Sequence, residues 1–226
     1  NLTWETLEGI MKHETEYDVP DAEWEPERQP GLEAQVVNIA DELAYNAHDL
    51  DDGLRSGHLS ARKIREVAVI GRLMDELGIE ALDFSTTDRY LLIRELLGLM
   101  IDDAVSNTAG VLTEAGIRTV DDVRDSDTKL VANSPGLTGE LRELKAFLFE
   151  NFYYHYRQIR MTRKADHLLR SMYEAYLEEP RMLPPSVTAR ADERGLERAV
   201  IDYLAGMTDR YANEEYRRLF EPNVLT

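Results

Sequence analysis

Apolar residues recur at three- and four-residue spacing along almost the whole chain, and few segments alternate with period two over the length of a strand. The pattern predicts an all-α protein built as a helical bundle. A first helix is expected over Thr3 to Lys12, with Thr3 as N-cap and Glu5 in the first turn, where its charge complements the helix dipole. Pro20, Pro26 and Pro30 among acidic residues then exclude a regular helix and predict an extended loop over 13–30, a length that hints at function. The next helix, over Gly31 to Leu54, is expected to pack through Val36, Val37, Ala40, Leu43, Ala44 and Ala47.

Further on, Ile64, Val67, Ile70 and Leu73 predict a helix over Ser60 to Leu77 that stops near Gly78. A long helix over Thr87 to Ala115, with a break near Gly110, carries the stripe Ile93, Leu96, Leu97 and Met100, which reads as core. Residues 116–127 read as a short strand or turn. Leu137 to Tyr156 is expected as a helix buried through Leu141, Leu144, Leu148 and Phe152, and Arg163 to Leu177 as another. Pro180, Pro184 and Pro185 interrupt the chain, and Val187 to Tyr211 and Glu214 to Phe220 complete the bundle. Without an internal repeat or low-complexity tract, residues 1–226 read as one unit.

Composition narrows the picture. A chain of 226 residues can bury a sizeable core. No apolar run approaches the roughly 18 residues of a membrane span, and the absence of cysteine excludes disulfides and thiolate ligands, so a cytoplasmic protein is expected. The net charge of −18 argues against a protein that wraps duplex nucleic acid and leaves room for small anions bound by a few local cations or a metal. The start, Asn1-Leu2-Thr3-Trp4, has no initiator Met, basic leader or signal-peptide core, and reads as a processed or truncated end.

The most unusual polar content lies in the second helix. Asp41, Tyr45 and Asp49 stand at i, i+4 and i+8 and share one face. Turned inward, two carboxylates there need a cation, a metal or a ligand, whereas turned outward they are a solvated acidic face. Spacing alone leaves both readings open. His48 is open in the same way, as a general base or a structural hydrogen-bonding residue.

The wider string is more specific. Leu32-Glu33-Ala34-Gln35-Val36-Val37-Asn38-Ile39-Ala40-Asp41-Glu42-Leu43-Ala44-Tyr45, followed by His48-Asp49-Leu50-Asp51-Asp52-Gly53-Leu54-Arg55, resembles the last metal-ligand helix of the dGTPase-like HD-domain triphosphohydrolases. Asn1-Leu2-Thr3, Gly9-Ile10-Met11-Lys12-His13, Leu144-Lys145-Ala146-Phe147-Leu148, Asp202 to Tyr211 and Arg217-Arg218-Leu219-Phe220 extend the resemblance in the same order over nearly the whole chain.

The resemblance implies an HD-domain-like helical bundle, N-terminally truncated, and a metal-dependent hydrolysis of dNTPs to deoxynucleoside and inorganic triphosphate. Members hold a divalent metal such as Mg²⁺ or Mn²⁺ through an early His, a His-Asp pair and a later Asp, and only the later Asp is matched, as Asp41. His13 is followed by Glu14, and the His48-Asp49 dipeptide comes after Asp41, so neither serves as the upstream pair. The resemblance further implies that Tyr45 packs against the deoxyribose, Asp49 accepts the 3′-hydroxyl, Lys12 and Lys145 meet the triphosphate, and Tyr153 lies on the sugar or base side. A homo-oligomer is implied as well, and this chain alone is expected to lack turnover for want of the upstream ligands. The alternative is a nucleotide-binding regulatory or oligomerisation module that does not catalyse.

Overall fold

In the computed structural model the described residues are 1–13, 24–25 and 27–224. All regular structure among them is helical, and none of the helices is long and apolar enough to cross a membrane. The chain divides into two compact units, residues 1–154 and 155–226, each with its own apolar core, where the sequence pattern suggested one.

The first unit opens with α1 (Trp4–Met11), capped by Thr3 as expected. Most of the predicted 13–30 loop, Pro20 and Pro26 included, lies outside the described residues. α2 (Leu32–Arg55) runs unbroken for 24 residues and buries Leu43, Ala47 and Leu50. Val36, Val37 and Ala40, expected in the packing face, are exposed instead: at 100° per residue Val37 turns away from Leu43, Ala47 and Leu50, while Val36 and Ala40 share their face but stand nearer the start of the helix, outside the core those three enter.

The expected Ser60–Leu77 helix is two pieces, α3 (Ala61–Ile64) and α4 (Ala68–Leu77), stopped at Gly78. The chain kinks through Arg65–Val67, bringing the Arg65 carbonyl so close to Gly71 that a Cβ there would lie 2.6 Å from its oxygen. α5 (Thr86–Glu114) passes through Gly110 without a break and contributes Leu92, Leu96 and Met100 to the core. Residues 116–127 form neither strand nor simple turn but a short helix, α6 (Val120–Arg124), closed by a reciprocal Thr119–Asp122 capping box.

α7 (Pro135–Leu148) buries Leu137, Leu141, Leu144 and Leu148, at the spacing the sequence predicts. It does not continue to Tyr156. Phe149–Tyr153 form a π-helical turn, and His155 then caps a new helix. The turn takes one more residue per revolution than an α-helix, which redirects Phe152 into the core and Tyr153 toward α2.

The second unit holds α8 (Tyr156–Glu178), α9 (Pro185–Arg194), α10 (Leu196–Ala205) and α11 (Asp209–Phe220) around Met172, Tyr176, Val187 and Val200. The expected helix over Val187 to Tyr211 is split at Gly195, whose φ of 88° is a conformation that residues with a Cβ rarely adopt, and again at Gly206, before the Thr208 cap. The Tyr176 phenol donates to Glu215 over 2.8 Å, and burial, reinforced by that carboxylate, pushes its pKa upward.

Candidate functional site

Within the 1–154 unit, α2 and α7 flank a cleft of about 720 Å³. The helical repeat makes α2 two-sided here: Leu43, Ala47 and Leu50 enter the core, while Asp41, Tyr45 and Asp49 turn to the cleft. Both carboxylates are half-buried and Tyr45 is 58% exposed. The face is therefore neither core nor open surface. His48 is exposed and does not line the cleft.

Opposite, α7 presents Leu141, Arg142, Lys145 and Leu148, a face set by the same three- and four-residue spacing, and the π-turn adds Phe149 and Tyr153. The Tyr153 hydroxyl donates a hydrogen bond to the Asp49 carboxylate, joining the two walls. Lys129, from the segment between α6 and α7, completes a trio of cations with Arg142 and Lys145. In a chain of net charge −18 that concentration suits an anion, and the carboxylates of α2 suit hydroxyl groups beside it.

Of the residues singled out in the sequence, Asp41, Tyr45, Asp49, Lys145 and Tyr153 meet in this cleft. Lys12 does not. It is only 7% exposed, its ammonium pairs with Glu8 at 3.2 Å, and it donates to the Arg28 carbonyl at 2.8 Å. Glu8 also receives Arg124, so Lys12 belongs to a buried ionic cluster that ties α1 to α6.

The sequence reading missed Lys129, Arg142 and the buried Asn46. Arg142 carried a usable signal, standing three residues before Lys145 on one helix. Lys129 carried none, because its position depends on how an irregular segment returns to α2.

Among the described residues no group of three or more His, Asp or Glu side chains could hold a metal ion. Asp41 and Asp49 are two helical turns apart, about 12 Å along the axis, too far to share an ion. A divalent cation takes at least four donors, so Asp41 is at most one ligand of a larger set, and the described residues alone do not fit a complete metal centre.

Comparison with known proteins shows what the chain is similar to. The family described as phosphohydrolase-associated domain matches residues 131–218, which include Arg142, Lys145 and Tyr153. A deoxyguanosinetriphosphate triphosphohydrolase-like protein of Geobacter sulfurreducens is 41% identical over 98% of this chain and 59% of its own length. Over nearly its whole length the chain is similar to dGTPase-like proteins. Relatives of the same name from an Azoarcus species and from Deinococcus radiodurans are 42% and 41% identical over 97% of the chain, covering 59% and 57% of their own lengths. The chain thus spans a little under three fifths of the family members it matches.

Proposed function

We propose that the α2–α7 cleft binds a deoxynucleoside triphosphate, and that the protein hydrolyses it to deoxynucleoside and inorganic triphosphate. The observation that carries this reading is the meeting of Tyr45 and the Asp49–Tyr153 pair with Lys129, Arg142 and Lys145 in one cleft. Each group has a matching part of the substrate. Asp49, held by the Tyr153 hydroxyl, accepts the 3′-hydroxyl; Tyr45 covers the sugar face; the three cations offset the polyphosphate.

In the reaction water adds to the α-phosphorus, the bond to the 5′-oxygen breaks, and that oxygen takes up a proton as the nucleoside leaves. This segment's part is to fix the sugar and phosphates, which lowers the entropic barrier to in-line attack. Asp41 is the residue assigned toward a metal, with the remaining donors supplied from outside the described residues. Lys12 has no part in substrate binding.

A second reading, a module that binds nucleotide without turning it over, is favoured by the incomplete metal donor set among the described residues. One experiment separates the two. With Mg²⁺ or Mn²⁺ present, the protein carrying this segment is expected to release triphosphate from dNTPs, and Asp41→Ala to abolish that release. Equal release by the variant contradicts the assignment of Asp41, and binding without release by the wild-type protein favours the second reading.

A further inference from the structure

Asn46 lies on α2 between Tyr45 and Asp49 and lines the cleft, yet it is only 4% exposed. Its Nδ2 is sealed from solvent and has no hydrogen-bond partner, which sets Asn46 apart from the other described residues of the cleft. An amide taken from water and left unpaired is costly, and mid-helix asparagines ordinarily turn to solvent or bond the preceding turn. Persistence of such a group in a wall of a binding cleft indicates that a ligand completes it.

The chemistry of that ligand follows from the neighbours. Leu141, Leu148 and Phe149 offer an apolar wall on the α7 side, and Phe149 adds an aromatic ring. The hydroxyl-binding and phosphate-binding groups of the cleft are accounted for by Asp49, Tyr153 and the cations. Apart from the α2 carboxylates Asp41 and Glu42 and from Asn38, whose Oδ1 is already paired with the His13 ring at 2.6 Å, the lining leaves an apolar wall and the Asn46 primary amide, which a half-turn about its terminal torsion presents as donor or acceptor. A flat heteroaromatic ring with donors and acceptors along its edge fits both features, as amide side chains pair with nucleobase edges elsewhere.

We propose that Asn46 hydrogen-bonds the polar edge of the nucleobase and sets the preference among bases, an inference that rests on the cleft binding a dNTP. Removing the amide therefore has opposite effects on the free protein and on the complex. Asn46→Leu, close in size and apolar, raises the melting temperature because an unpaired buried group is gone, while affinity for the best-bound dNTP falls about tenfold.

Equilibrium binding of dATP, dGTP, dCTP, dTTP and base-free deoxyribose 5-triphosphate to the 226-residue chain, to Asn46→Leu, to the smaller Asn46→Ala and to Asp49→Ala tests this. In both Asn46 variants the spread among the four dNTPs narrows and the base-free compound binds as it does to wild type. Wild-type affinities in the Asn46 variants, or a lower melting temperature for Asn46→Leu, overturn the proposal. If Asp49→Ala loses binding while the Asn46 variants match wild type, only the role of Asn46 fails. If wild type binds none of the five compounds, the dNTP reading fails and the Asn46 proposal with it.

Discussion

At the α1–α6 end of the first unit, Glu8 sits 1% exposed between Lys12 and Arg124, and Lys12 also donates to the Arg28 carbonyl. Along the α2–α7 cleft, Asp41, Lys129, Arg142 and Lys145 face a shared space, and the Asn46 Nδ2 has no hydrogen-bond partner among the described residues. Both clusters gather charged groups on packed helices. The first spends its hydrogen-bonding capacity almost entirely inside the protein, with Arg124 Nε as the exception and its guanidinium stacked 4.5 Å over Trp4. The second lines an open cleft, with one buried amide nitrogen unpaired. A lysine is thus read as structural or ligand-binding less from its neighbours in sequence than from whether it is sealed in a buried cluster, as Lys12 is, or stands on the wall of a cleft, as Lys129 and Lys145 do.

The largest effect that should separate the two clusters comes from Glu8→Ala. It leaves two buried cations without their carboxylate, which costs about 3–5 kcal/mol. Thermal denaturation should show a drop of roughly 10 °C, while the folded variant binds dNTPs as wild type does. A variant as stable as wild type would place the Glu8 cluster among the marginal surface pairs.

A smaller loss is expected from Lys145→Met, which keeps most of the side chain's packing and removes its charge. Affinity for a dNTP should fall about tenfold, with less change for the monophosphate and a weaker dependence on salt. Equal losses for mono- and triphosphate would detach Lys145 from the polyphosphate.

The smallest effect concerns how α7 is anchored. Asp103 of α5 accepts hydrogen bonds from the Ser134 amide and hydroxyl and from the Asn133 side chain, at the N-terminus of α7. Burial opposes ionisation of this carboxyl, but those donors outweigh it and hold the pKa below the ordinary 3.8. Asp103→Asn should cost about 1 kcal/mol. Because the folded-state pKa is lowered, the wild-type advantage is full above the ordinary carboxylate pKa and fades as pH falls through the lowered one. Urea denaturation of both proteins at neutral pH and near pH 3 measures it, and a gap that widens in acid would contradict the anchoring role.

Much of the architecture was legible because helices advertise themselves through the spacing of apolar residues: Leu141, Leu144 and Leu148 of α7 and Leu96 and Met100 of α5 are buried where the pattern puts them, while Ile93 and Leu97 are only half-buried and Leu92 takes an inner place. Boundaries were lost where backbone geometry, not side-chain pattern, decides. The Arg65 kink and the π-turn at Phe149–Tyr153 leave the apolar spacing nearly intact, so one helix is expected where two elements form. Gly195 was readable as a break in principle, since glycine is the residue that tolerates a positive φ.

The site divides in the same manner. Asp41, Tyr45 and Asp49 share a helix face that the sequence prescribes, and the resemblance brought Lys145 and Tyr153 to the same list. Lys12 was misplaced because its burial and its bond to Arg28 come from a long-range approach that local spacing does not encode. Lys129 and the unpaired amide of Asn46 are likewise products of packing.

The most direct measurement is a comparison of one hydroxyl and one carboxylate. Binding of a dNTP and its 2′,3′-dideoxy analogue is measured for the wild-type chain and for Asp49→Ala. The cleft as described predicts that wild type prefers the dNTP by about tenfold, because Asp49 accepts the 3′-hydroxyl, and that Asp49→Ala binds the two alike. The same preference in both proteins, or no binding of either nucleotide to wild type, would contradict it.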